Sequence, residues 1–238
     1  MAHITDDRGY NQVFRPRRAM GIRTARRAQA ILDAMTDASP RDILELGSGT
    51  GELSAFLAER TGAHVTGVDV CEPFVRGAAE RYTASNLSFQ VVDVRQIDSP
   101  TELGRHRFDY IVGNGILHHL HDELPEVLPR LRAILNPGGR LVFWEPNLHN
   151  PYVFLIFRFS RLRNWAKLEP EEMAFTRTGL TATLLRAGFR RVEISRRDFL
   201  LPNTPDILIR PMIAVGNFAE RLPWVNGLAQ SLFVVAGP

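Results

Sequence analysis

The sequence predicts an α/β fold: a doubly wound, mostly parallel sheet with helices on both faces. Short apolar runs alternate with helical stretches between residues 40 and 150, the pattern of parallel strands joined by crossover helices. Those runs are near-continuous rather than alternating, as strands buried on both faces must be. The first run leads into a glycine-rich turn and then a helix start, ILELGSGTGELS at 43–54. Glycine lets a backbone approach a ligand closely, and the unpaired N–H groups of a helix start face it. That segment is a ligand cradle.

Taken in order, residues 1–12 read as irregular and 19–35 as an amphipathic helix ended by Ser39-Pro40. Strands follow at 43–46, 64–68, 88–92, 110–113 and 140–144, with helices at 52–60, 73–82 and 124–135 between them. Asn136-Pro137-Gly138-Gly139 has the composition of a compact turn before the strand LVFW. Helices are expected at 151–159 and 178–187, a strand at 191–194, a helix at 207–221 interrupted by Pro211, and a closing strand at 231–236. No repeat is visible. One domain of 1–238 accommodates all of this, with a core at 40–150 and additions at 1–38, 151–178 and 201–230.

Composition narrows the classes. Cys71 is the only cysteine, so neither an internal disulfide nor a cysteine-based metal cluster is expected. The start, MAHITDDRGY, lacks a signal-peptide apolar segment, and the longest apolar run, at 152–157, is too short to span a bilayer. A cytoplasmic location is expected. Of 29 basic residues only Lys167 is a lysine, and seven arginines with no acid fall between Arg8 and Arg27. Such a local field is expected to attract an anionic partner.

The glycine turn alone fits more than one nucleotide. Dinucleotide dehydrogenases use GxGxxG, whereas here the third glycine comes one residue earlier and Glu45 precedes the first by two. GSGTG after Glu45 resembles motif I of class I (Rossmann-like) S-adenosylmethionine-dependent methyltransferases. GVDV at 67–70 is similar to the end of that family's second strand and VVDV at 91–94 to the end of its third. FDYIV followed by GNGILHHL at 108–120 resembles its fourth strand and loop. LRAILNPGGRLVF at 131–143 resembles the next helix, turn and fifth strand, and SLFVVAGP its antiparallel last strand.

The resemblance implies seven strands, S-adenosylmethionine as cofactor and a set of binding residues. Gly47, Ser48, Gly49 and Gly51 form the turn against the methionine portion, with Glu45 beneath it. Asp69 and Val70 lie at the ribose, Asp93 and Val94 at the adenine, and Asn114 at the methionine moiety or the acceptor. Tyr10 lies in an N-terminal segment that folds over the cofactor in this family.

A base is needed when the acceptor carries a proton of high pKa. His118 and His119 are the candidates, and as neighbours they point apart, so at most one faces the site. Glu145, at the carboxyl end of the fifth strand, is a further candidate for contacting the acceptor. His118, His119, His121 and Asp122 lack a partner cluster, so no metal is expected.

The expected activity is methylation of a small molecule, with oxygen slightly favoured over nitrogen or carbon. The aromatic-rich additions suggest a hydrophobic acceptor and the arginines an anionic one, such as a natural product or lipid. Peripheral membrane contact and a homodimer both fit this reading. An RNA methyltransferase is a rival, but the charge of +3 is small and nucleic acid is not an expected partner. A noncatalytic protein that binds the same cofactor is the rival from another class.

Overall fold

The computed structural model describes residues 18–36, 39–97, 103, 107–166, 168–169, 171–202 and 204–238. The elements are α1 (Arg18–Asp33), β1 (Asp42–Leu46), α2 (Glu52–Thr61), β2 (His64–Asp69), α3 (Glu72–Arg81), β3 (Leu87–Val91), β4 (Phe108–Asn114), α4 (Leu124–Ala133) and β5 (Leu135–Pro146). After these come α5 (Pro151–Arg158), α6 (Ser160–Ala166), α7 (Arg177–Arg186), β6 (Arg191–Arg197), α8 (Asp206–Ala219) and β7 (Ser231–Gly237). They build a seven-stranded sheet of order β3-β2-β1-β4-β5-β7-β6. β1 to β5 run parallel, and β7 enters antiparallel between β5 and β6.

Successive strand residues point to opposite faces, and both faces are buried. Leu44, Leu46, Ile111, Leu141 and Phe143 pack with α4 and α7. Ile43, Val65, Tyr110, Val112 and Val142 pack with α1 and α2. The sheet is therefore doubly wound.

Three elements depart from the sequence reading. Asn136–Gly139 is not a separate turn ahead of the fifth strand. Leu135 pairs with Phe108 and Arg140 with Tyr110, so the four residues form a bulge within β5. Asn136 Nδ2 donates to Asp109 Oδ1 (2.7 Å) and pins it. Pro211 does not interrupt α8, which runs through it. The carbonyl it cannot bond belongs to Ile207, which is 84% exposed and has water available. Helix α6 was not foreseen; none of its residues is buried, so it carries no apolar periodicity toward the core.

The arginine cluster is also reassigned. Arg23 Nε and Arg27 Nε both donate to Asp198 Oδ2 (2.6 and 3.0 Å). Arg26 Nη2 donates to Asn217 Oδ1 (2.8 Å), and Arg18 lies 3.8 Å from Asp206. These arginines fasten α1 to the end of β6 and to α8. Burial, then the nearby charge of Arg23, pushes the Arg27 guanidinium down to about 10. Arg8, Arg15 and Arg17 lie outside the described residues. Among the described residues, no helix is long and apolar enough to cross a membrane.

Candidate active site

The strand order reverses between β1 and β4, and a crevice opens at the carboxyl ends of such a pair. A cavity of about 300 Å³ lies there, walled in part by Gly47, Gly49, Asp69, Asp93, Asn114 and His119.

The turn after β1 has left-handed backbone at Gly47, Gly49 and Gly51, with φ of 65°, 50° and 84°. A Cβ at Gly47 would fall 2.8 Å from Ile116 Cδ1, so that glycine is also required for packing. At Gly49 a Cβ would meet nothing within 4 Å, because this residue fronts the cavity. Ser48 is buried, and its Oγ has no hydrogen-bond partner among the described residues. Ser48 itself is not part of the cavity wall.

Asp69 Oδ2 accepts from Gly49 N (2.9 Å) and Oδ1 from Cys71 N (2.9 Å). A carboxylate has about four acceptor positions, so capacity for a vicinal diol remains. Val70 is 37% exposed beside it on the cavity wall. Asp93 caps a short 3₁₀ turn, Val94–Gln96, and accepts from Arg95 N (3.0 Å), Nε (2.9 and 3.1 Å) and Nη2 (2.9 Å). Burial raises its carboxyl, but the Arg95 hydrogen bonds outweigh this and hold it below the usual range. Its acceptor capacity is thus largely taken by Arg95, a partner the sequence reading did not foresee. Val94 lines the same wall.

Glu45 lies beneath the glycine turn, 3% exposed, and accepts from Ser54 Oγ. Burial pushes its carboxyl up to about 8, so it is protonated at neutral pH. It is not part of the cavity wall. Asn114 is, and its Oδ1 accepts from Arg27 Nη1 (2.9 Å), which ties α1 to the site. Tyr10 lies outside the described residues.

The two histidines do not point apart: their ring centroids are 4.2 Å from each other, and they differ in the carboxylate each engages. His118 turns to Glu145, with Nδ1 2.9 Å from Oε2. Glu145 is 1% exposed and also accepts from the backbone N–H groups of Ile116 (3.1 Å), Leu117 (2.8 Å) and His118 (3.2 Å). Expected to meet the acceptor, Glu145 instead organises the loop after β4, because its oxygens lie under the unpaired N–H groups that start the 3₁₀ turn Leu117–Leu120.

His119 does line the cavity, and its Nδ1 lies 3.3 Å from Glu172 Oε1. Burial lowers the imidazole, yet Glu172, with Glu145 and Glu169 behind it, more than offsets this and holds it above the ordinary value. Burial raises the Glu172 carboxyl, and His119 more than reverses that. Glu172 Oε1 also accepts from Glu169 N (3.0 Å). No sequence signal pointed to Glu172, which sits in an irregular segment far along the chain. His118, His119 and Glu172 bring ligand atoms within 4.8 Å of one another, the one grouping among the described residues that offers a cation three ligands. Glu123, Glu169 and Glu171 add carboxylates to the cavity wall; Glu169 acts on His119, while Glu123 Oε1 lies 3.9 Å from Arg95 Nη1.

Residues 44–141 match the family described as a methyltransferase domain. An uncharacterized methyltransferase of Mycobacterium tuberculosis is 35% identical over 124 residues, covering 51% of this chain and 60% of that protein. The chain thus spans less than two thirds of the length of this relative. A SAM-dependent methyltransferase from Archaeoglobus fulgidus superposes with a TM-score of 0.63 at 18% identity, over 91% of this chain and 94% of that one. Phosphoethanolamine N-methyltransferase 2 of Haemonchus contortus, solved with S-adenosyl-L-methionine, gives 0.61 at 14% identity, over 90% of this chain and 52% of that one. At such identities the likeness speaks to fold. With the motifs in order along 43–143 and the sheet they build, residues 44–141 are similar to the methyltransferase domain family, on the fold of solved S-adenosylmethionine-dependent methyltransferases.

Proposed function

We propose that the protein transfers a methyl group from S-adenosylmethionine to a small molecule, with oxygen the favoured acceptor atom and His119 the base. One observation carries the reading: a single cavity is walled together by Gly47 and Gly49 of the glycine turn, Asp69, Asp93 and His119. Gly47 and Gly49 fit the methionine portion, Asp69 the ribose diol, and Val94 with Asp93 the adenine edge. When bound, the cofactor supplies an electrophilic methyl on a sulfonium. Alignment of donor and acceptor can contribute about 7–11 kcal/mol toward the barrier. His119 takes the hydroxyl proton as the acceptor oxygen attacks, and Glu172 stabilises the imidazolium that forms. Glu145 acts at one remove, as a positioning residue for the loop that carries His119.

The acceptor is read as neutral at its reacting end. Glu172 and Glu169 act on His119 and oppose an anionic head there, and Arg23 and Arg27, which suggested one, are engaged with Asp198. The same carboxylates support a second reading, N-methylation of an amine.

The test is transfer of labelled methyl to phenols, amino sugars and prenyl phosphates in parallel. Turnover of phenols, reduced about 100-fold or more by His119→Ala, supports the reading. Turnover of amino sugars alone moves it to nitrogen, and turnover of prenyl phosphates alone overturns the neutral acceptor.

A further inference from the structure

We propose that the α5–α6 helix pair is a docking surface for an anionic lipid bilayer, and that it delivers an apolar-tailed acceptor to the site from the membrane. The inner side of the pair is already accounted for. Val153 and Phe157 pack in a small cluster with Ala174, and the Phe157 ring meets His118 edge-on at 6.4 Å. Arg163 Nη1 donates to the carbonyl of Phe157 (3.2 Å), and Nη2 to those of Glu169 (2.5 Å) and Glu172 (3.0 Å). The pair is thereby tied to the segment that carries Glu172.

Among the described residues, none covers the outer side. Phe154 and Leu155 are each 44% exposed, Phe159 50% and Trp165 68%, and Tyr152 and Leu162 are exposed beside them. This surface continues at Leu228, which is 48% exposed, because Asn150 Nδ2 at the start of α5 donates to its carbonyl (2.6 Å). Contiguous exposed apolar side chains of this kind mark an interaction site.

Charge selects the occupant. Residues 147–168 contain no acid, and Arg158 and Arg161 among them are exposed. Aromatic and aliphatic side chains beside basic ones are the pattern of a helix lying in a bilayer interface, with the cations at lipid phosphates. A second copy of this chain fits worse, since a twofold interface would set these arginines against their own counterparts. The delivery step rests on the methyl-transfer reading; the docking itself does not.

Flotation with vesicles of phosphatidylcholine alone and with one quarter phosphatidylglycerol tests it, alongside calorimetric titration of S-adenosylmethionine. Arg158 and Arg161 are exposed. The expected result is binding to the anionic vesicles, weakened roughly fivefold for each of Arg158→Gln and Arg161→Gln. Phe154→Ser with Leu155→Ser should abolish it, and all variants should keep wild-type affinity for S-adenosylmethionine. No vesicle binding, equal binding to both vesicle types, or a dimer in light scattering that these substitutions dissolve would each overturn the proposal. If vesicles bind and S-adenosylmethionine does not, docking stands and the methyl-transfer reading falls.

Discussion

Glu45 has a folded pKa of about 8 against an ordinary 4.5, raised by burial beneath the glycine turn. The folded state therefore holds a proton that the unfolded chain releases, and stability falls as pH rises from 4.5 through 8. The loss is on the order of 4 kcal/mol at the upper end of that window. Glu45→Gln keeps the size of the side chain and a donor without the titration. Its melting temperature should exceed that of the wild type at pH 8, with the gap closing toward pH 4; parallel melting curves would cancel this account of Glu45. His119 carries the opposite linkage in function, since only its neutral form accepts a proton. The acid limb of the rate profile should lie above pH 6.5, because Glu172 favours the imidazolium. Glu172→Gln should shift that limb to lower pH, and an unmoved profile would remove His119 from the base role. The His118–Glu145 and His119–Glu172 partitions were not legible in the sequence. Adjacent histidines said that only one faces the site, and the partners that decide which one are tertiary.

Among the elements, α1 is the one whose role changed most on folding. The run of arginines read as a field for an outside anion, yet Arg23 and Arg27 converge on Asp198, 92% buried at its side chain and left-handed at φ 76°. Glu220 Oε1 accepts from the Asp198 N–H (2.8 Å), which helps hold that backbone. Asp198→Asn leaves two buried guanidinium groups without their counter-charge, at a cost of about 3 kcal/mol, or roughly 6–12 °C in melting temperature. A loss under 2 °C would show that the pair does not fasten α1. The strands were legible because buried parallel strands have a local signature, and 43–46 or 231–236 needed no tertiary information. The bulge at Asn136–Gly139 was not, since turn and bulge share the same residues and only pairing with β4 separates them. Helix α6 was missed for a related reason: exposed on all sides, it has no buried face to read.

For the whole molecule, the order of motifs carried more than any one of them. Gly47, Asp69, Asp93 and Asn114 lie at or just beyond the carboxyl ends of four different strands, and the reversal of strand order between β1 and β4 gathers them around one cavity. That convergence makes the donor end readable from sequence. At the acceptor end His119 lies in the matched loop, whereas its carboxylate partners Glu169 and Glu172 come from a segment with no shared motif and are readable only after folding. The central claim is that this cavity holds S-adenosylmethionine through Asp69. Calorimetric titration into the wild type and Asp69→Ala tests it most directly. One saturable site in the wild type, weakened roughly 10- to 100-fold in the variant as its charged hydrogen bonds are lost, is the predicted result. A wild type that does not bind, or a variant that binds equally well, would contradict it.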